Sequence, residues 1–566
     1  MALGYDSMVS MPPISPLHPL TKKLLDARGI TEPDAIERFL APDYVRDGYD
    51  PFLVLHMEKA VERVLLAIAK NERITIYGDY DCDGIPGSVL LHDFFRKIKY
   101  ENFFNYIPHR HHEGYGLNNE AIKKFSADNV ALIITIDCGI TDVEEVVLAN
   151  ELGIEVIITD HHLPQTVSPP AYAIINSKQE GDTYPDPMLC GAGVAFKLVQ
   201  ALIRRGNFPS VSTGWEKWLL DMVGLSTIAD MVPLQNENRM LAYYGLKVLR
   251  KSPRPGLQAL LRDAGVDQRH LTEEDVGFTI GPRINAASRM DVPLRAFELL
   301  ATTDLAFARE GAKHLGGLNN SRKLEVARMT KEAKKLLHAR ALREVIVVGN
   351  PSWRVGVVGI VANKLAEEFD RPTFVWGKEE SMYMKGSCRS DGRVNMVDLM
   401  VAVREGVFLD KGGHEFSGGF SVSPEHIHFL EDELVNAYHL IEKKETKPEA
   451  YRIDAELSLS EVNEETFRAI DLLAPFGVGN PKPHFLFPHA KILESSQFGK
   501  EKNHLKLMLG DERHSRVPAI GFFLSPEDFP KVTIEAGETI DLVATFEKSH
   551  FRGRPELRLR IVDVHP

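Results

Sequence analysis

Three apolar runs in this sequence each end in acid. ITIYG leads into Asp79, Asp81 and Asp83, ALIITI into Asp137, and IEVIIT into Asp160, His161 and His162. Carboxylates and imidazoles are the side chains that hold divalent ions. Two carboxylates about 4 Å apart repel by about 4 kcal/mol at an effective dielectric near 20. A cluster of them must therefore take up protons or bind cations. Oxygen donors with a histidine and no thiolate suit Mn2+ or Mg2+.

These groups are far apart in sequence, so the fold must gather them. From residue 51 onward, helix-like stretches (HMEKAVERVLLAIAKN, SVLLHDFFRKI, EEVVLANELG) alternate with short apolar runs. That pattern means βαβ units and a parallel sheet covered on both faces. Ligands of such sheets bind beyond the carboxyl ends of the strands, where all these acids fall. An isolated acid at a strand end would be an ordinary cap. The same residue type at three corresponding ends is a site.

DYDCDG at 79–84 also opens like an EF-hand loop, but position twelve of that loop would be Leu90, not Glu, and a strand rather than a helix precedes it. Cys82 and Cys138 lie inside these motifs and read as small buried fillers.

The rest of the chain divides by pattern. Residues 1–50 are punctuated by proline and carry short helical stretches, and 51–240 hold the acids. Residues 241–343 read as a helical connector and 344–445 as a second α/β segment. The last part, 450–566, is a series of short strands with turns between them, which suits a small Greek-key barrel. The chain has 566 residues and a net charge of −13, which disfavours indiscriminate polyanion binding. Residues 309–344 nevertheless hold ten Lys or Arg against four Glu. Four cysteines without a C-x-x-C spacing exclude a disulfide framework and a cysteine-based zinc site. No apolar run is long enough to span a membrane, so the expected compartment is the cytoplasm.

The motifs resemble a known set. DYDCDG, the Asp137 strand end, DHH at 160–162 and STIADMVPL around Asp230 are similar to the four motifs of the DHH phosphoesterase superfamily. EGYGLN (113–118), CGAGVAFKL (190–198), GPRINAASRM (281–290), KGSCRS (385–390), GGHEFSGGF (412–420) and FGVGNPKPHF (476–485) resemble, in order, its RecJ branch of single-strand-specific exonucleases. Two places depart from that pattern: Ser288 stands where a glycine is expected, and Glu415-Phe416-Ser417-Gly418-Gly419 where small residues are commoner.

The resemblance implies a Rossmann-like DHH domain, a DHH-associated domain carrying the GGH motif, and a C-terminal OB-fold barrel. It implies two divalent ions. Asp83, Asp137, His161 and Asp230 would hold one, and Asp79, Asp81 and Asp137 the other. His162 would face the phosphate and Asp160 would orient the histidines. Arg110, Arg283, Ser387, Arg389 and His414 would bind the 5′ phosphate and adjacent backbone, for which guanidinium forks are well matched. The implied reaction is two-metal activation of water to hydrolyse phosphodiesters, releasing 5′-mononucleotides from single-stranded DNA in the 5′→3′ direction. Repair and recombination, a helicase and a single-strand-binding protein as partners, and a monomeric state follow from the same resemblance.

In the terminal barrel, FRGRPELRLR places Arg552, Arg554, Arg558 and Arg560 at alternate positions beside Phe551. On a strand they would share a face, with the phenylalanine as a stacking platform for bases. Charge on an edge strand also serves to prevent aggregation. Three other readings compete. A phosphodiesterase for nanoRNA or cyclic dinucleotides would leave the barrel unexplained. A pyrophosphatase would have only Ser321-Arg322-Lys323 for its basic motif. A scaffold without activity would have to keep every metal ligand for nothing.

Overall fold

β-branched residues dominate the apolar runs (ITI, IIT, VII), and such side chains pack well on a pleated surface and poorly in a helix. In the computed structural model they form strands. The structure describes residues 17–379, 382–444, 451–499, 502–511, 515–549 and 555–566. Among these, no helix is long and apolar enough to cross a membrane.

The chain forms two compact units. One comprises residues 50–230 and 245–449, the other residues 1–49, 231–244 and 450–566. The larger unit contains two sheets. The first has β1 (Arg73–Gly78), β2 (Phe103–Tyr106), β3 (Val130–Ile136), β4 (Glu155–Thr159) and β5 (Ala173–Ile175) in the order β2-β1-β3-β4-β5, all parallel. The order reverses direction at β1/β3, which opens a crevice at the carboxyl ends. Tyr77, Phe125, Ile133 and Ile158 are buried on one side of this sheet.

The second sheet has β6 (Ile346–Gly349), β7 (Thr373–Gly377), β8 (Met384–Arg389), β9 (Phe408–His414) and β10 (Ser417–Val422) in the order β6-β7-β8-β10-β9. The helices between the sheets include Gly281–Met290 and the 34-residue helix Leu305–His338. The amphipathic stripe of the latter buries Val326, Met329, Ala333 and Leu337 against Ile346, Trp353 and Val361.

In the smaller unit, β11 (Ala455–Glu456), β12 (Phe485–Phe498), β13 (His504–Gly510), β14 (Arg516–Phe522), β15 (Thr539–Ser549) and β16 (Glu556–His565) run in the order β11-β12-β13-β14-β16-β15. Antiparallel pairing of β12 with β15 closes five of them into a barrel, which removes the sheet edges. Phe485, Phe487, Leu507, Leu542 and Phe546 fill it. Leu20 and Leu24 of the helix Pro19–Asp26 join the same core.

Candidate active site and metal centre

The parallel ladder runs one residue past each strand. Asp79 N–H donates to the Ile136 carbonyl (3.0 Å), Asp137 N–H to that of Thr159 (2.9 Å), and Asp160 N–H to that of Ile175 (3.1 Å). Three acids thus stand side by side at the crevice. Asp137 takes a left-handed backbone (φ +62°), a conformation that costs a non-glycine residue about 1 kcal/mol or more.

The remaining ligand candidates are set by helix ends. Asp81 accepts from the N–H groups of Asp83 (2.8 Å) and Gly84 (3.2 Å) at the start of the helix Gly84–Lys97. Asp83 accepts from Gly191 (2.6 Å) and Ala192 (2.8 Å), the first N–H groups of the helix Gly191–Arg205. Gly191 is required for a steric reason: a Cβ there would lie 2.7 Å from Asp137 Oδ1. Asp230 follows the helix Leu220–Ala229.

His161 Nε2 lies 3.2 Å from Asp137 Oδ1 and 3.7 Å from both Asp83 Oδ2 and Asp230 Oδ2. Two donor groups result, Asp83/His161/Asp230 and Asp79/Asp81/Asp137, each with its ligand atoms within 4.8 Å of one another, and Asp137 also groups with His161 and His162. Asp79 Oδ1 and Asp137 Oδ1 are buried without a hydrogen-bond partner, so the residues present fit a cation.

Electrostatics agree. Burial, then Asp81, raises Asp79 well above the carboxylate range, and burial with Asp83 and Asp81 does the same to Asp137. The same causes push Asp83 up to about 6 and Asp230 up to about 8. Burial and the His162 charge take His161 down to about 3, leaving its ring neutral and able to ligate. Oxygen donors in excess with one neutral imidazole fit a pair of hard divalent ions.

His162 is different. Burial lowers it, but its hydrogen bond to Asp160 (Nδ1 to Oδ1, 2.8 Å) and that carboxylate's charge win, raising it to about 9. Asp160 is wholly buried and also accepts from the N–H groups of Ile140, His161 and His162. Its oxygens are thus taken up by the loop, which it positions. The His414 ring stacks over His162 at 6.2 Å, so the GGH segment closes over the DHH segment.

A cleft of about 1030 Å³ adjoins this site, and Arg110, Ser387, Arg389 and His414 all line it. The N-terminus of the helix Val355–Phe369 points into it, a ready position for an anion. Arg283 does not line the cleft. It is six residues from Arg289 on the helix Gly281–Met290, hence on another face, and its Nη1 donates back to the Thr279 carbonyl. Arg289 lines the cleft and donates to the Gly356 carbonyl at 3.1 Å, and burial together with Arg110, Arg322 and Arg389 lowers it to about 9. Both arginines belong to the GPRINAASRM motif, and of the two it is Arg289 that lines the cleft. Tyr115 was also missed: its hydroxyl donates to the Asp137 carbonyl (3.0 Å) and meets His162 Nδ1 (3.1 Å). So was Asn285, whose Oδ1 accepts from Cys82 N–H (2.8 Å).

In the barrel, Phe551, Arg552 and Arg554 lie outside the described residues. Arg558 is paired with Glu547 (2.9 Å) and largely covered, so its charge is already answered. Arg560 lies over the Phe522 ring (4.7 Å). There an unforeseen cluster appears: His504 meets Phe498, Phe522 and Phe523 at 5.1, 5.5 and 4.8 Å. Phe523 is 77% exposed and held at φ +57°.

Family models for the DHH family N-terminal domain, the DHHA1 domain and the RecJ OB domain match residues 73–227, 339–439 and 453–563. The single-stranded-DNA-specific exonuclease RecJ of Bacillus subtilis (strain 168) is 36% identical over 549 residues, covering 96% of this chain and 68% of that protein. The Haemophilus influenzae protein of the same name is 32% identical over 563 residues, covering 97% and 96%. The crystal structure of RecJ in complex with Mn2+ from Thermus thermophilus superposes with a TM-score of 0.74 at 25% identity, over 97% of this chain and 78% of that one. With sequence, domain order and fold in agreement, the chain belongs to the RecJ family of single-stranded-DNA-specific exonucleases.

Proposed function

We propose that the protein is a metal-dependent exonuclease that removes 5′-mononucleotides from single-stranded DNA in the 5′→3′ direction, during repair and recombination in the cytoplasm. The observation that carries it is the set of acid and histidine donor groups, two of them containing Asp137, beside a cation-lined cleft. Asp83, Asp137, His161 and Asp230 would hold one divalent ion, and Asp79, Asp81 and Asp137 the other. Such ions, when bound, supply an activated water and charge neutralisation at the scissile phosphate.

The chain's own residues do the rest. His162, kept charged by Asp160, offers a proton-bearing nitrogen to a phosphate oxygen. His414 approaches from the opposite wall. Arg110, Arg289, Ser387, Arg389 and the helix start at Val355 receive the end phosphate, which fixes the strand by its 5′ terminus. The exposed Phe523, with His504, Phe522 and Arg560, offers bases a surface to stack on. We take the working state as a monomer supplied by a helicase and a single-strand-binding protein.

The test uses a single strand labelled at its 3′ end, with Mn2+, beside the same strand in a blunt duplex. A ladder of shortening labelled products from the single strand alone is expected. An intact long strand would transfer the proposal to very short or cyclic nucleotides.

Two further outcomes follow. Asp230 and Asp83 must give up protons to take a cation, so apparent Mn2+ affinity should rise by up to about tenfold per pH unit between 6 and 8. Calorimetry in buffers of different ionisation enthalpy counts those protons, and a flat affinity would contradict the assignment. Phe523→Ala should weaken binding of long single strands about tenfold, the loss of one stacked base, measured by fluorescence anisotropy.

A further inference from the structure

Beside the end-phosphate residues, Arg354, Lys378 and Lys385 also line the cleft, and the backbone shows why they meet. Lys385, Ser387 and Arg389 are alternate residues of β8 and share one face. Gly377, the last residue of β7, pairs with Lys385, so Lys378 leaves the sheet beside it. A Cβ on Gly377 would meet the Trp353 carbonyl oxygen at 2.1 Å. That approach sets Arg354, the residue before the helix Val355–Phe369, at the same corner.

These cations are poorly answered. Among the described residues, the acids lining the cleft are Asp291 and Glu379. Asp291 is bridged to His314 at 2.7 Å, while Glu379 is shared between Arg354 (3.5 Å) and His111 (3.9 Å). Against them stand six arginines and lysines. A terminal phosphate carries at most about two negative charges, which Arg110, Arg289 and Arg389 already meet. An enzyme that grips a free 5′ end has no nucleotide upstream of that phosphate. What can extend there is more phosphate on the same oxygen.

We propose that Arg354, Lys378 and Lys385 form a second subsite for condensed phosphate, so that the protein also accepts strands bearing a 5′-triphosphate. The proposal rests on the exonuclease reading above. Water adds to the phosphorus between the first and second nucleotides and the P–O3′ bond breaks. The 3′ oxygen takes up a proton. The first residue leaves as a nucleoside 5′-triphosphate with a free 3′-hydroxyl, and the shortened strand keeps its new 5′ phosphate.

The full-length protein with Mn2+ is given one 3′-labelled DNA sequence with a 5′-hydroxyl, a 5′-monophosphate or a 5′-triphosphate. The triphosphate strand should show a KM within about threefold of the monophosphate strand, and the first product should be a nucleoside triphosphate without release of pyrophosphate. The double variant Lys378→Ala/Lys385→Ala should raise KM for the triphosphate strand about tenfold or more, through loss of charge-assisted hydrogen bonds, and leave the monophosphate strand within about twofold. Free tripolyphosphate, at constant free Mn2+, should compete against the wild type more strongly than against the variant if the subsite also takes the ion alone. Competition absent beside an intact triphosphate effect restricts it to strand ends. Refusal of the triphosphate strand overturns the proposal, as does an equal shift of both substrates in the variant, which would put the lysines on the path of the strand itself. Inactivity of the wild type on the monophosphate strand would instead remove the exonuclease reading.

Discussion

Asp137→Asn should lower the rate on single-stranded DNA by about 10³-fold or more, since ligands are worth more than the outer partners that already cost 10- to 100-fold. Asp137 belongs to two of the three donor groups, more than any other aspartate. Asparagine matches the carboxylate in shape and tolerates the left-handed backbone that this position needs. The substitution therefore removes a charge without disturbing the ladder bond to Thr159. In the metal-free protein that charge is repelled by Asp79, Asp81, Asp83 and Asp230, so the variant should melt no earlier than the wild type in chelator. The difference emerges with Mn2+. The wild type should gain about 2.7 kcal/mol of stability at a metal concentration a hundred times Kd, and the variant much less. A variant that retains both turnover and metal-induced stabilisation would show that Asp137 does not hold a metal ion.

Arg289→Met tests the cleft. Methionine keeps much of the apolar stem and removes the guanidinium. Two charge-assisted hydrogen bonds at about 1.5–3 kcal/mol each correspond to a KM about 10²-fold higher or more for a 5′-phosphorylated strand. A strand with a 5′-hydroxyl should change only a few-fold, and kcat should hold on both. Because Arg110, Arg322 and Arg389 repel Arg289, the variant should not lose stability, which separates lost recognition from lost folding. Arg283→Met, the same chemistry on another face of the helix, should leave the preference for a 5′ phosphate intact.

That pair of arginines shows how far sequence reached. The acids were legible because each follows a run of apolar residues, and strand ends in a parallel sheet have one destination. Asp79, Asp137 and Asp160 fall at equivalent ladder positions as that logic requires. Which of Arg283 and Arg289 enters the cleft depends on helix phase, and a motif match carries residue order but no phase. Tyr115 was hidden because its work depends on where its hydroxyl ends, between the Asp137 carbonyl and His162. In the barrel, period two put Arg558 and Arg560 on one face, yet charge on that face proved to be spent on Glu547 at one position and free for an aromatic ring at the other. Cross-strand partners decide that, and they come from strands separated by loops of unpredictable length. Phe498, His504 and Phe522 come together from three strands, with Phe523 just past the last of them, for the same reason.

The helix Gly281–Met290 holds Asn285 against the metal-loop backbone at Cys82 and Arg289 against the end-phosphate cleft. Four residues separate them, a rise of about 6 Å along a rigid rod. On the proposed reading the helix would serve as a ruler, with one mark beside the bond to be cut and the other at the terminus of the strand. Step length becomes a property of backbone geometry and is independent of base identity, so every cycle should remove one residue whatever the sequence.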